Sequence, residues 1–467
     1  MEKFLFVLGS NWKLSIAELD NLLKYSKFKG KIIDYSANVA IVSFDTLHEE
    51  KYFINRLMEL QFMLGGCQKI AKVVDFVDIH TIREAFPDIV ENFKIIEKTR
   101  KKILDKIKMN ISEIFPHIKN ESIFFAVSIY PNFYDENYYS EVLVKHLLPF
   151  LNKKIMRILK SKRAKKALYY KYPEENINSG HLNPIFPHHL ITYGLFERNR
   201  AEIIFGFTEE GAYISRTLTC DDPNFKKKID EERPFKEFKS SISPKLSIIM
   251  LNFLNLFENR HEKKVLDPFV GNGTILMFAL IEDFLIYGSD IDNSKVKNTI
   301  RNISWLASEL DEIPPPALDQ IIKQSDINNL TQKFQNLSFD GICTEPDIGP
   351  FFTKKPYYQE IKNLIDTKLV NVYDNIFSEA YVLLKPNARI VLVAPIFSTI
   401  DGGELQLNIN KIAKKYSFRS IPMLDVNRIV NKSNIRLQFQ KSQVKSLIDA
   451  KKDQIVKRKI YIFEKEK

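Results

Sequence analysis

Cysteine, glycine and long apolar runs are all scarce in this 467-residue sequence. The three cysteines, Cys67, Cys220 and Cys343, form no CxxC pair, which excludes a disulfide framework and a cysteine zinc site and indicates a reducing, cytoplasmic compartment. The histidines form no HxxxH or HExxH pattern, so we predict no metal site. No stretch of about 20 apolar residues occurs, and the opening MEKFLFVLG is too short for an export signal, so we expect no membrane contact.

Hydrophobic residues make up 45% of the chain, which is enough for packed cores, and the length predicts about two to four domains. Basic residues exceed acidic ones by 69 to 58, giving a net charge of +11. That balance favours a polyanionic partner. A genome rich in A and T, which overuses Lys, Asn, Ile and Phe, would produce the same excess.

One segment concentrates this positive charge. Residues 153–172 contain no acid, and three tyrosines follow among the basic side chains. Phosphate contacts combined with aromatic contacts are typical of RNA binding, whereas a solvated basic helix is the alternative. The candidate RNA-binding residues are Lys153, Lys154, Arg157, Lys160, Lys162, Arg163, Lys165 and Lys166.

Strand-like and helix-like segments alternate from residue 243 onwards. Ser243 and Pro244 have the residue types of a helix N-cap and first helical position. The runs KKVLDPF, GTILMFALIED, LIYGSDI and SKVKNTIRNISWLASEL then follow in a βαβα order. This alternation predicts a parallel sheet with helices on its faces.

Glycines and acids lie at the predicted strand ends of this region. VLDPFVGNGTI (residues 265–275) places Asp267 at a strand end and Gly271 and Gly273 in the following turn, where a backbone without side chains can approach a ligand closely. The next predicted strand ends at Asp290, about 20 residues on, where a carboxylate would accept hydrogen bonds from ribose hydroxyls. We predict that Asp292 caps the following helix. Asp326 follows the third predicted strand and suits an adenine amino group. The order of these acids on successive strand ends favours S-adenosylmethionine over NAD. A dinucleotide site would also require the pattern GxGxxG, of which only GxG is present.

The stretch TEPDIGPF (residues 344–351) resembles an altered catalytic tetrapeptide of exocyclic-amine methyltransferases, in which an acid or amide precedes Pro-Pro and then Tyr or Phe. Glu345 and Pro346 occupy the first two positions, and Asp347 and Ile348 replace the rest. Oxygen acceptors beside the amine help to localise its lone pair. The missing aromatic removes a stacking partner for the base.

Four segments resemble the THUMP-domain tRNA guanosine N2-methyltransferases of the guanosine-10 type. DPFVGNGTI is similar to the cofactor motif of that family, and LFVLGSNWKLSIAEL, GGCQKIAKVV and RPFKEFKSSISPKLSIIMLN are similar to its amino-terminal, RNA-binding and linker segments. The resemblance implies an α/β fold with a Rossmann-like S-adenosylmethionine-dependent methyltransferase domain, preceded by a ferredoxin-like unit and a THUMP domain. The expected divisions are residues 1–64 (ferredoxin-like), 65–200 (THUMP), 201–242 (hairpin and linker) and 243–467 (methyltransferase).

The resemblance also implies the site and the partner. Catalysis would rest on Glu345, Pro346 and Asp347, and tRNA would be the substrate, with a small activator subunit needed in some relatives. The implied S-adenosylmethionine residues are Asp267, Phe269, Gly271, Gly273, Thr274, Asp290, Ile291 and Asp326. Two other functions stay open at this point: a silent tRNA-binding protein that keeps the fold, and an amine methyltransferase acting on other RNA or DNA.

Overall fold

The computed structural model describes residues 2–44, 53–89, 92–133, 137–180, 184–237, 241–439, 443–451 and 453–467. Two large β-sheets, one in each half of the chain, dominate these residues. One buried apolar cluster contains side chains from both halves, including Phe6 and Val265, so the halves share part of their core.

The amino-terminal sheet has eight strands in the order β2-β3-β1-β4-β8-β7-β5-β6. The first four strands and their two helices follow the order βαββαβ along the chain. The strands are β1 (Lys3–Leu8), β2 (Gly30–Tyr35), β3 (Val39–Phe44), β4 (Cys67–Asp78), β5 (Ser122–Tyr130), β6 (Lys166–Tyr169), β7 (Arg200–Phe207) and β8 (Gly211–Cys220).

Helices cover this sheet. One of them follows directly, without a break, on a π-helix at Tyr139–Leu147. Pro87 lies between two separate helices, since proline cannot donate the backbone hydrogen bond that a continuous helix needs. The helices are α1 (Trp12–Tyr25), α2 (Phe53–Met63), α3 (Ile79–Ala85), α4 (Phe93–Ile114), α5 (Leu148–Ser161), α6 (Glu174–Ser179), α7 (Pro187–Tyr193) and α8 (Pro223–Glu231).

The amino-terminal sheet continues across two expected domain divisions. β4 pairs with β1 on one side and β8 on the other, and β7 pairs with both β8 and β5. The hairpin expected between residues 201 and 242 is therefore an interior part of the sheet, and its following arm contains the helix α8. The division into ferredoxin-like, THUMP and linker units stays a prediction.

The carboxy-terminal sheet has the order β11-β10-β9-β12-β13-β19-β15. Its first five strands are parallel, and β19 runs antiparallel to β13. A two-stranded ladder, β16-β17, lies apart from it. The strands are β9 (Lys264–Asp267), β10 (Leu285–Asp290), β11 (Ile322–Gln324), β12 (Phe339–Thr344), β13 (Leu384–Ser398), β14 (Glu404–Gln406), β15 (Phe418–Ser420), β16 (Leu424–Asp425), β17 (Gln443–Val444), β18 (Ser446–Asp449) and β19 (Val456–Lys465).

Helices follow these strands, which confirms the predicted alternation. Ser243 caps α9 by accepting a hydrogen bond from the Leu246 amide, and Pro244 is its first residue, as predicted. A single helix over residues 358–383 changes to π geometry at Ile365–Leu369. The α-helices are α9 (Pro244–Asn252), α10 (Thr274–Ile281), α11 (Asn293–Glu309), α12 (Leu318–Ile321), α13 (Leu330–Lys333), α14 (Tyr358–Leu364), α15 (Val370–Leu383) and α16 (Ile409–Lys415).

A buried carboxylate joins the two halves. Glu18 on α1 accepts hydrogen bonds from the amides of Gly65 and Gly66 at 2.9 and 2.7 Å and from the Asn252 side chain at 2.8 Å. Glycine is required at position 65, because a Cβ there would lie 2.4 Å from the carbonyl oxygen of Lys245. The contact holds the GG pair of the sequence against the first helix of the carboxy-terminal half.

Candidate active site

A cleft of about 860 Å³ opens at the carboxyl ends of the parallel strands. The strand order reverses between β9 and β12, because β10 follows β9 on one side and β12 flanks it on the other. Ligands of open α/β sheets bind in the crevice at such a reversal. The position of the cleft therefore follows from the sheet order.

Ten of the eleven predicted catalytic and cofactor residues line this one cleft. The exception is Gly273, which is the N-cap of α10 beside it. The lining residues that the sequence predicted are Asp267, Phe269, Gly271, Thr274, Asp290, Ile291, Asp326, Glu345, Pro346 and Asp347.

The two glycines of the turn after β9 have different structural reasons. Gly273 has φ +85°, and a Cβ there would lie 2.8 Å from Cγ2 of Thr299 on α11. With any other residue at position 273, the start of α10 could not lie this close to α11. Gly271 has φ +50°, and no atom lies within 4 Å of where its Cβ would be. The Gly271 backbone therefore borders open space.

Asp290 joins two neighbouring turns at the end of β10. Its two carboxylate oxygens accept hydrogen bonds from the amides of Gly271 and Asp292, both at 3.0 Å. Burial raises the pKa of Asp290, and these amide bonds oppose that shift. Asp292 is the N-cap of α11 and accepts from the Ser294 amide at 2.8 Å, which confirms its predicted capping position.

Asp267 and Asp326 are both engaged with the protein. Asp267 is 1% exposed and accepts hydrogen bonds from the Thr344 hydroxyl at 2.7 Å and the Phe269 amide at 3.1 Å. Burial raises its pKa to about 7. Asp326 caps a short turn through the Asn328 amide at 3.0 Å. Asp267 thus ties the ends of β9 and β12 together, while Asp326 shapes the rim.

Glu345, directly after β12, is held by a cation that the sequence did not predict. Arg458 on β19 donates from Nε to Oε1 at 2.5 Å and from a terminal nitrogen to Oε2 at 3.4 Å. Both side chains are largely buried. Burial raises the pKa of Glu345, whereas Arg458 lowers it. No sequence spacing links these residues, because they lie 113 residues apart in the chain and meet only across β13 of the folded sheet.

Asp347 forms the second ion pair of the cleft. Its Oδ2 lies 2.6 Å from the Lys368 ammonium, and its Oδ1 accepts from the Gly349 amide at 2.8 Å. Lys368 lies in the π-helical turn and lines the cleft. Asn371, Asn375 and Thr367 line the same wall. Sequence reasoning missed all four residues of this helix.

Neither phenylalanine after TEPDIGP replaces the missing aromatic. Phe351 is 64% exposed and Phe352 packs edge-to-face on Phe397, with ring centroids 6.2 Å apart. Both lie outside the cleft lining, in which Phe269 is the aromatic side chain among the described residues. The base-stacking position of the usual tetrapeptide is therefore left unfilled by these two rings.

The basic segment, residues 153–172, comprises the end of α5, a turn and the strand β6. Seven of its eight candidate residues are exposed, whereas Lys154 is half-buried beside the Phe150 ring. Tyr172 is buried and donates to the Val127 carbonyl at 3.1 Å, so the suggestion that it contacts RNA is wrong. Its ring belongs to the buried apolar cluster of the amino-terminal half.

Comparisons with known proteins agree with this architecture. No family model matches the sequence. The tRNA (guanine(10)-N2)-dimethyltransferase of Pyrococcus abyssi (strain GE5 / Orsay) is 25% identical over 119 residues, which are 26% of this chain and 32% of that protein. The match thus spans about a third of the curated relative.

Among solved structures, TrmN from Thermus thermophilus is 14% identical over 99% of both chains, with a TM-score of 0.50. This likeness shows the fold, and it confirms the predicted α/β class with a Rossmann-like parallel sheet in the carboxy-terminal half. In the described residues, no helix combines the length and hydropathy needed to cross a bilayer, and no group of three or more His, Cys, Asp or Glu side chains could hold a metal ion.

Proposed function

We propose that the protein transfers a methyl group from S-adenosylmethionine to the exocyclic N2 amine of a guanosine in tRNA. One observation carries the proposal: the glycine turn, the strand-end acids and the Glu345-Pro346 pair meet in a single cleft at the reversal of strand order. Position 10 is our first choice of target, because the Pyrococcus abyssi relative acts on guanine 10 by its name.

The residues around the glycine turn fit S-adenosylmethionine. The space beside Gly271 would admit the ligand against bare backbone. Each Asp290 oxygen accepts one amide bond and keeps a lone pair for a ribose hydroxyl. Ile291 lines the cleft with 65% of its surface exposed, which suits an adenine face, and Asp326 lies nearby for its amino group.

Glu345 and Pro346 would act on the target amine. S-adenosylmethionine, when bound, would supply an electrophilic methyl group, whose bond to sulfur would break as its bond to the amine nitrogen forms, leaving S-adenosylhomocysteine. The amine donates hydrogen bonds to the Glu345 carboxylate and the Pro346 carbonyl, which localises the nitrogen lone pair and fixes its direction of approach. After the new N–C bond forms, Glu345 can accept the proton that the amine releases. This chemistry requires no metal and no covalent protein intermediate.

The amino-terminal half would hold the tRNA. We assign its βαββαβ portion to the expected ferredoxin-like unit and the strands and helices after it to the expected THUMP domain. The exposed basic side chains of the α5–β6 region would neutralise RNA phosphates. A cytoplasmic location and a need for a small activator subunit belong to the same proposal.

Two measurements test the proposal together. Calorimetry should detect S-adenosylmethionine binding to the purified protein, and mass spectrometry should find N2-methylguanosine in tRNA treated with both. Nucleosides of tRNA from cells with and without the gene should differ by the same modification. Methylation of ribosomal RNA or DNA, with tRNA left unmethylated, would show that the substrate is another nucleic acid.

A silent tRNA-binding protein is the second candidate. The ion pair between Glu345 and Arg458 supports it, because a carboxylate already bonded to a guanidinium is a weaker acceptor. The unfilled aromatic position after Pro346 supports it as well. Cofactor and tRNA binding without methyl transfer to any RNA would favour this candidate over the enzyme.

A further inference from the structure

One wall of the cleft carries a pair of opposite charges that the proposed methyl transfer does not use. Asp347 and Lys368 lie 2.6 Å apart, with 34% and 57% of their side chains exposed. Both residues line the cleft, and Asp347 directly follows the Glu345-Pro346 pair in the sequence. Asp347 stands at the sequence position where the usual tetrapeptide carries its second proline.

The position of Lys368 depends on the π-helical turn at Ile365–Leu369. A π-helix inserts one extra residue per turn, and such bulges frequently occur at functional sites. Here Ile365 and Leu369 remain buried while Lys368 lines the cleft. Asn371 and Asn375 follow at helical spacings of three and four residues, so they share its face.

Stability does not account for the pair. Ion pairs this exposed contribute little to stability, because water and salt screen them. Both groups also retain hydrogen-bonding capacity: Asp347 has a free lone pair on each oxygen, and the ammonium uses one of three donors. An acceptor and a donor are therefore presented side by side to whatever enters the cleft.

We propose that Asp347 and Lys368 read the edge of the target base and select guanine over adenine. This inference rests on the proposed amine methylation. Guanine presents N2–H, N1–H and O6 in that order along its pairing edge. Asp347 would accept from N1–H, and Lys368 would donate to O6. Adenine presents an unprotonated N1 and an N6 amine. The lone pair of adenine N1 would face the Asp347 carboxylate and repel it.

The order of the protein groups matches the order of the base atoms. Glu345 would receive the N2 amine, Asp347 the neighbouring N1–H, and Lys368 the distal O6. Glu345 and Asp347 are two residues apart in the sequence and line the same cleft. The two acids therefore share one small region, as adjacent base atoms require.

A base analogue separates this inference from the methyl transfer itself. We would first map the methylated guanosine by mass spectrometry, and then replace it in a ligated tRNA by 2,6-diaminopurine. This analogue keeps the N2 amine but carries an unprotonated N1 and a 6-amino group. Wild type should use it at least about tenfold less efficiently in kcat/KM, since a bidentate base contact discriminates by about 1–3 kcal/mol.

Two variants should remove this discrimination. Asp347→Asn can donate to the analogue's N1, and Lys368→Met no longer repels its 6-amino group. Each should lower kcat/KM for guanosine, and the preference for guanosine should fall to about threefold or less. The matched controls, Asp366→Asn and Lys362→Met, change exposed residues of the same helix outside the cleft lining, and they should keep the wild-type preference.

The outcomes are distinct. If wild type methylates guanosine and 2,6-diaminopurine equally well, or if the variants slow both substrates by the same factor, Asp347 and Lys368 do not read the base, although the methyl transfer stands. Transfer to adenosine in preference to guanosine also overturns the assignment. If wild type methylates no nucleotide at all, the proposed function fails and this inference fails with it.

Discussion

The two walls of the cleft are built by different means. On the cofactor wall, Asp290 and Asp326 each accept a hydrogen bond from a backbone amide two residues further along. On the base wall, the Glu345 and Asp347 carboxylates pair with cations brought from β19 and from the helix over residues 358–383. The first wall is made by local chain geometry and the second by tertiary contacts.

This difference has a functional consequence. Backbone amides hold Asp290 and Asp326, and these bonds do not depend on the side chain of the donor residue. Each base-side acid pairs with one cation from a distant part of the chain, although Asp347 also accepts from the Gly349 amide, so a single substitution of the cation changes the charge beside the acid. Variants on the two walls should therefore separate cofactor affinity from turnover and base choice.

The largest expected effect is on the base wall. Glu345→Ala should lower turnover by about 100-fold or more, comparable to removing a transition-state hydrogen-bond partner. Glu345→Gln should keep partial activity, because an amide oxygen still accepts. Affinity for S-adenosylmethionine, measured by calorimetry, should change little in both. If both variants methylate tRNA like wild type, the tetrapeptide is not the site of catalysis.

On the cofactor wall, Asp290→Ala should weaken S-adenosylmethionine binding by more than about tenfold, because bonds to a charged group contribute about 1.5–3 kcal/mol each. Asp292→Ala is the matched control. It removes a helix cap, which costs about 1 kcal/mol of stability, and should leave cofactor affinity unchanged. Calorimetry on the folded proteins checks both, and equal affinities for Asp290→Ala and wild type would remove Asp290 from the site.

Arg458 offers a test of how the base wall keeps its charge. Arg458→Met leaves Glu345 buried beside Asp449 without its cation, so the pKa of Glu345 should rise further. Because the carboxylate is the active form, the acidic limb of the kcat/KM profile should move to higher pH. Activity at neutral pH should fall by about tenfold and recover in alkaline buffer.

Two companion variants sharpen this pH measurement. Arg458→Lys keeps the charge but loses the forked geometry, so its profile should move less. Glu345→Gln in the Arg458→Met background should lose the limb altogether. An acidic limb that stays in place in Arg458→Met would show that Glu345 does not set the pH dependence.

The smallest expected effect concerns the RNA-binding half. Changing Lys162, Arg163, Lys165 and Lys166 to Ala should weaken tRNA binding, and each lost phosphate contact should lower the log–log salt slope by about 0.7–0.9. Four exposed lysines of α4, Lys94, Lys98, Lys101 and Lys102, provide a charge-matched control. An equal change of slope in both sets would indicate that net charge, and not this segment, governs binding.

Local signals were sufficient for much of the fold. The alternation after Ser243, the cap at Asp292 and the glycine turn were all predicted, because each depends on residues close together in the sequence. The eight-stranded amino-terminal sheet shows the converse. The hairpin of β7 and β8 was expected in a division separate from the RNA-binding domain, whereas in the sheet it lies between β4 and β5, since strand pairing over long separations leaves no local pattern.

The sequence by itself determined which strand ends carry acids and where the backbone can approach a ligand, because turn chemistry and hydrophobic periodicity act over a few residues. Only the tertiary structure decided which cations meet Glu345 and Asp347. Arg458 reaches Glu345 across 113 residues of chain, and Lys368 lines the cleft within a π-helical turn. Such pairs form where packing brings strands and helices together, and their members can lie at any separation along the chain.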